Sequence, residues 1–282
     1  MRRRWGRWAG MSVAGAALAA GCTFPASPNQ AVTVSDSAHG AISGIPSSLP
    51  GGQYTFTFRP AAPSGGVQLV RLATGYTQGQ FFSDIGLAFG NPSTPGFKTA
   101  TERLYANAHF VGGVNGPASF STYLIPGKYL AVDANAQSGT PESFTVTPRA
   151  VGPNYPRANV AIGGYMSMTG GHDSFGWAVL GALGRSGVLH FTVLDGDEPH
   201  FVDLAKLTPG HTAQQCFSFS GSGANPNCTE VLATGVLSTH ETMTMPYTLP
   251  GGGDYAIACF VTNPDTGQPH AMLGMIRTLH VN

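Results

Sequence analysis

Residues 258–275 read ACFVTNPDTGQPHAMLGM. Within this stretch Cys259, His270, Met272 and Met275 supply a thiol, an imidazole and two thioethers. These are donors that hold copper or zinc when they converge. The same side chains are also ordinary residues of strands and cores. Between Cys259 and His270 lies TNPDTGQP (262–269), a turn-rich loop able to fold a strand end back on itself. The stretch therefore reads either as a strand and hairpin with soft side chains inside it, or as half of a metal site.

A second histidine stands far upstream. Asp197-Glu198-Pro199-His200 ends a turn and leads into the alternating FVDLAKL. The order His200, Cys259, His270, Met275 resembles the ligand order of the cupredoxin, or type 1 blue-copper, family. In that family a β-sandwich carries one histidine early and groups cysteine, histidine and methionine on its last loop. GDEPHFVDL is similar to the family's first-histidine segment. The Cys-x10-His-x4-Met spacing is longer than in plastocyanin-like proteins. It is close to the ligand loop of copper nitrite reductases, which also ends in Gly-Met. The resemblance implies one type 1 copper on His200, Cys259 and His270, with Met275 axial and Met272 as the alternative axial donor. It also implies one-electron transfer or copper handling. Two imidazoles, a thiolate and a weak thioether are the set that such a copper uses. Pro264, Gly267 and Pro269 suit the hairpin that must bring three of the ligands together. His200 has to arrive from a neighbouring strand end. His172, His190, His211, His240 and His280 are expected on strands or at the surface.

The elements that must position these residues read as short strands. Val32 and Val34, Tyr54, Phe56 and Phe58, Leu189, Phe191 and Val193, and Tyr255, Ile257 and Cys259 each alternate with polar neighbours. Pro126-Gly127 and Pro250-Gly251 punctuate the runs as turns. Residues 56–82 (FTFRPAAPSGGVQLVRLATGYTQGQFF) line up without a gap with 191–217 (FTVLDGDEPHFVDLAKLTPGHTAQQCF). YLIPGKYLAVDAN (123–135) is similar to YTLPGGGDYAIACFVTN (247–263). The expected architecture is all-β, with two tandem Greek-key β-sandwiches at 31–148 and 157–282 joined by 149–156. Each unit is long enough for its own core. In this alignment Gly65 stands where His200 does, Asp133 where Cys259 does, and Glu142 near His270. The first unit thus lacks every soft ligand, as expected if the four act together and the first unit is structural.

The chain opens MRRRWGRWAGMSVAGAALAAGC, with Arg2, Arg3, Arg4 and Arg7 ahead of an apolar stretch. Residues 1–21 are read as a secretory signal whose end resembles a bacterial lipobox, with Cys22 as the lipidated mature N-terminus and 22–30 as a tether. The apolar stretch is too short for a comfortable span, and no later run could cross a membrane. The expected location is the outer face of a bacterial cytoplasmic membrane, held there by the lipid. Loss of 1–21 leaves ten basic residues against 14 acidic ones, a net charge of about −4. That balance argues against nucleic acid as a partner. A redox protein is the partner that the cupredoxin resemblance implies. Cys216 and Cys228 flank a Gly/Asn/Pro loop and are expected to pair in an oxidising compartment. Cys259 is then left as a single thiol, which outside the cell must be buried or bound.

Other chemistry finds no support. There is no Gly-x-Ser-x-Gly, no phosphate loop and no His-Glu-x-x-His. Multicopper oxidases and nitrite reductases need further histidines, often as His-x-His, and no such pair occurs. The competing reading is a non-metal binding or scaffold lipoprotein of the cell envelope. In it Cys259 is an inert buried thiol and His200 lies far away.

Overall fold

The computed structural model describes residues 25–133, 140–169, 172–218 and 224–282. The signal segment and Cys22 lie outside the described residues. In the first half the chain forms β1 (Gln30–Asp36), β2 (Ile42–Ser43), β3 (Ser48–Pro50), β4 (Gly52–Arg59) and β5 (Gly66–Leu72). Helices α1 (Gln78–Ala88) and α2 (Phe97–Asn107) follow, then β6 (Ala108–Asn115), β7 (Ser119–Leu124), β8 (Gly127–Asp133) and β9 (Glu142–Thr147). The second half runs β10 (Val160–Thr169), β11 (His172–Gly181), β12 (Ser186–Val193), β13 (Asp203–Leu207) and α3 (Ala213–Phe217). It ends with β14 (Cys228–Ala233), β15 (Thr242–Thr248), β16 (Gly253–Ala258), a 3₁₀ turn (His270–Leu273) and β17 (Ile276–Val281).

These strands build two β-sandwiches. One packs β2-β1-β4-β7 on β3-β9-β8-β5-β6, and the other packs β11-β10-β12-β15 on β14-β13-β16-β17. The alternation read from the sequence is the reason. Tyr54, Phe56 and Phe58, and likewise Leu189, Phe191 and Val193, turn inward and are buried. The repeat is visible in the pairing. β1 lies parallel to β4 with Val32 opposite Phe56, and β10 lies parallel to β12 with Ile162 opposite Phe191. Thr77 and Thr212 cap α1 and α3 through the same reciprocal bonds with Gln80 and Gln215. Tyr129 and Tyr255 each donate a hydroxyl to the carbonyl four residues back, of Ile125 and Gly251.

Two features go beyond strand alternation. The first is the helical pair α1–α2, inserted between β5 and β6. It buries Phe81 and Leu104. It also holds the buried Asp84 between the Tyr76 hydroxyl and the Arg103 guanidinium, and the latter keeps the Asp84 carboxyl below the usual range. The second is that the sandwiches share a sheet. β7 and β15 pair antiparallel, with Met243 opposite Thr122, so eight strands run through both halves. The tether segment is not free where it is described. Ser27 is buried, its amide bonds the Gly152 carbonyl, and its hydroxyl accepts from the Gln53 amide.

The first half also grips the segments that flank the candidate ligands. The Gln68 amide donates to the carbonyls of Gly112 and Val236 and accepts from the Val236 N–H. The Gly235 amide bonds the Gly113 carbonyl at 2.6 Å. Leu237 is bridged on one side to Val111 and on the other to His200. On α2, Tyr105 donates its hydroxyl to the Thr262 carbonyl at 2.8 Å, and Lys98 pairs with Asp265. Thr262 and Asp265 both belong to the loop between Cys259 and His270. Among the described residues no helix is long and apolar enough to cross a membrane.

Candidate metal centre

Cys259 follows directly on β16, a central strand whose inward face continues Tyr255 and Ile257. Its amide bonds the Met275 carbonyl and its carbonyl accepts from Ala271. The His270 amide bonds the Val261 carbonyl, and the Met275 amide bonds the His270 carbonyl. The loop is thus closed by its own backbone, and His270 and Met275 are brought back beside Cys259. Gly274 ends the 3₁₀ turn at φ 108°, a conformation that favours glycine. This is the structural use of the Gly-Met pair. His200 reaches the same point from the segment before β13, held by two backbone bonds with Leu237.

Three donor atoms converge. His200 Nδ1 and His270 Nδ1 are 3.0 Å apart, and Cys259 Sγ lies 3.9 Å from the first and 3.7 Å from the second. All three side chains are fully buried. Metal bonds of about 2.0–2.3 Å to nitrogen and sulfur set such donors roughly 3.3–3.8 Å apart, so the trio fits one ion with shifts of a few tenths of an ångström. Met275 is buried beside them. A methyl group added at Gly164 would lie 2.9 Å from both its Cε and His200 Cδ2, so the thioether's end and the imidazole pack side by side against bare backbone. Met272, the alternative axial donor, is 67% exposed and points away. The reason is the 3₁₀ turn, which directs Ala271 inward and Met272 outward.

The surroundings tune each donor. Burial pushes the Cys259 thiol up to about 12, while the N–H groups of Phe201 and Val261, directed at the sulfur, pull it back. Burial, together with the neighbouring His270, holds His200 well below the ordinary histidine range, so it is a neutral imidazole. Its Nε2 has no hydrogen-bond partner among the described residues. Phe175 of β11 stacks on the His270 ring at 4.0 Å between centroids and presents an edge to His200. These rings keep water from the donors.

Two residues that the spacing argument passed over complete the site. Glu198 Oε2 lies 2.7 Å from His270 Nε2, and its Oε1 accepts from Asn263 Nδ2 at 2.8 Å. Both were visible as neighbours of ligands, in DEPH and TNPD, but a carboxylate beside a histidine in sequence does not disclose that it serves a different histidine. Other expected positions are placed as well: His172 begins β11, and His211 lies in the loop before α3. Cys216 and Cys228 form a disulfide, with Cα atoms 5.4 Å apart, and Cys259 is the free cysteine among the described residues. His190 is half-buried on β12, while His240 and His280 are exposed. In the first half Asp133 ends β8 as Cys259 follows β16, and β9 pairs with β8 as β17 pairs with β16.

No family model and no curated protein matches the sequence. Solved structures similar to this chain include cupredoxins. Auracyanin from Roseiflexus castenholzii is 19% identical over 36% of this chain and 81% of its own, with a TM-score of 0.25. Rusticyanin is 18% identical over 43% and 78%, with a TM-score of 0.26. The copper nitrite reductase of Nitrosomonas europaea is 10% identical over 90% and 94%, with a TM-score of 0.27. Identities and TM-scores this low leave the chemistry to be read from the side chains themselves.

Proposed function

We propose that this chain binds one copper ion through His200, Cys259 and His270, with Met275 as weak axial donor, and carries single electrons. The observation behind the reading is the meeting of one sulfur and two imidazole nitrogens in a buried pocket. A copper ion there supplies a one-electron Cu(II)/Cu(I) couple. The protein's part is to hold the donors still. Cys259 gives up its thiol proton on binding, because burial keeps the thiol protonated until a cation replaces that proton. His200 is a neutral imidazole, His270 turns its Nδ1 toward the same point, and Phe175 stacks over the His270 ring. The backbone bonds among Cys259, Val261, His270 and Met275 resist movement of the ligand loop, so little rearrangement accompanies a change of charge. The scaffold reading needs His200 far from Cys259, and a separation of 3.9 Å speaks against it.

The setting completes the proposal. Lipid on Cys22 anchors the protein at the outer face of a bacterial cytoplasmic membrane, and a redox protein is its partner. Support comes from the Arg-rich apolar leader ending in Leu-Ala-Ala-Gly-Cys and from the disulfide, which suits an oxidising exterior. The decisive experiment is metal analysis with a visible spectrum of a Cu(II)-loaded soluble fragment starting after Cys22. The expected result is one copper per chain and an intense thiolate-to-copper band, both lost in Cys259→Ser. A colourless protein with a freely reactive thiol removes the electron-transfer claim. Mass spectrometry of the mature N-terminus tests the anchor, which fails if Cys22 carries no acyl chain.

A further inference from the structure

We propose that Glu198 is a positioning residue for the metal. Through the chain Asn263–Glu198–His270 it keeps the proton of His270 on Nε2 and turns the Nδ1 lone pair toward Cys259 Sγ and His200 Nδ1. The inference rests on the copper reading above and adds a residue to it. His270 is fully buried, and its Nε2 meets the Glu198 carboxylate at 2.7 Å. A carboxylate accepts and does not donate, so the shared proton belongs to the ring nitrogen. That selects the tautomer whose Nδ1 lone pair points toward Cys259 Sγ and His200 Nδ1. Such a bond also strengthens the imidazole as a donor.

Asn263 makes the arrangement directional. Its Oδ1 accepts from the amides of Asp265 and Thr266 and from the Thr266 hydroxyl. With three donors on the oxygen, the amide cannot turn over, and its NH₂ must face Glu198 Oε1. Glu198 therefore meets a donor on each oxygen, and only a carboxylate satisfies both. A glutamine has one acceptor and one donor. With its oxygen toward Asn263, its NH₂ faces His270 Nε2 and forces the proton to Nδ1, where it blocks the metal. With its oxygen toward His270, two NH₂ groups collide. Changing Asn263 to aspartate removes that conflict, because the new carboxylate accepts what the introduced glutamine donates.

The test uses three variants of the soluble fragment: Glu198→Gln, Asn263→Asp and the double variant. In metal-stripped protein, ¹⁵N chemical shifts report the His270 tautomer. In parallel, competition with a chelator measures Cu(II) affinity. Wild type is expected to show the Nε2–H tautomer. Glu198→Gln is expected to move it toward Nδ1–H and to weaken Cu(II) binding by about 10–100-fold. The double variant is expected to regain the Nε2–H tautomer and most of the affinity. A role in folding alone would lower the melting temperature and leave tautomer and affinity unmoved. The proposal is overturned by an Nδ1–H tautomer in wild type, by a glutamine variant that binds like wild type, or by a double variant no better than the single. Should Glu198→Gln not fold, the wild-type tautomer and the double variant still decide. Should wild type take up no copper, the functional reading fails, and the tautomer still reports on Glu198.

Discussion

Gly164 on β10 lies against both His200 and Met275, and replacing it with alanine measures how rigidly the donors are held. The new methyl would sit 2.9 Å from His200 Cδ2, 2.9 Å from Met275 Cε and 3.1 Å from His200 Cγ, whereas ordinary contacts begin near 3.4 Å. Neighbours must therefore retreat by about half an ångström. Met275 has a flexible end, but the His200 ring is pinned by its backbone bonds to Leu237 and by Phe175. Overpacking of this kind costs about 1–3 kcal/mol. The alanine gains about 0.4–1 kcal/mol from a less flexible unfolded chain. The net expectation is a loss of about 1–2 kcal/mol, which lowers Tm by roughly 2–8 °C for a chain this long. The matched control is Gly86→Ala on α1, where, apart from its chain neighbours and the helix's own backbone, no atom of the described residues lies within 4 Å of the added carbon. It should stabilise by about 0.5–1 kcal/mol. Chemical denaturation of both variants and the visible spectrum of each after Cu(II) loading make the assay. Gly164→Ala should shift the band and unfold earlier, and Gly86→Ala should do neither. A Gly164→Ala protein as stable as the control, with an unshifted band, would refute the packing argument and with it the placement of Met275 beside His200.

Three further outcomes follow from other parts of the fold. Removing the disulfide as Cys216→Ala/Cys228→Ala, a closure of sequence separation 12, should cost about 2–3 kcal/mol in denaturant melts while leaving Cu(II) binding unchanged. Asp203 is pushed up to about 7, first by burial and then by Glu230, and its Oδ1 has no hydrogen-bond partner among the described residues. Between its ordinary value of 3.8 and about 7 the unfolded chain has released this proton and the folded chain keeps it. Stability should therefore fall as pH rises through that window, by at most about 4 kcal/mol, and Asp203→Asn should flatten that part of the profile. Tyr105→Phe deletes the bond from α2 to the Thr262 carbonyl. It should cost about 1 kcal/mol and speed copper loss to a chelator, and an unchanged off-rate would show that α2 does not steady the ligand loop.

Much of the frame was legible because it depends on neighbours in sequence. Alternation at Tyr54, Phe56 and Phe58 specifies a strand with one buried face wherever the strand ends up. The repeat carried the capping threonines and the corner tyrosines to equivalent places in both halves. The helices α1 and α2 were not foreseen, although Thr77 and Gln80 spell a capping box. Their stability comes from Phe81 and Leu104 packing together and from Asp84 buried between Tyr76 and Arg103. These partners are chosen by tertiary contact, not by local propensity. The choice between Met272 and Met275 had the same character, since Met272 lies on the outer side of the 3₁₀ turn while Gly274 ends that turn at a positive φ and Met275 beyond it is buried.

The sequence alone determined the chemical kind of the donors, their order, the paired cysteines and the strand-forming faces, because side-chain chemistry and two-residue periodicity are local properties. Tertiary structure decided that His200, 59 residues before Cys259 and 70 before His270, arrives within 4 Å of both. It also decided that Glu198 serves His270 and that the ligand-free half braces the ligand loop. Those facts depend on which strands pair and how two sandwiches share a sheet. Such pairings are set by the balance of burial and hydrogen bonding over the whole chain, and no short stretch of residues contains them.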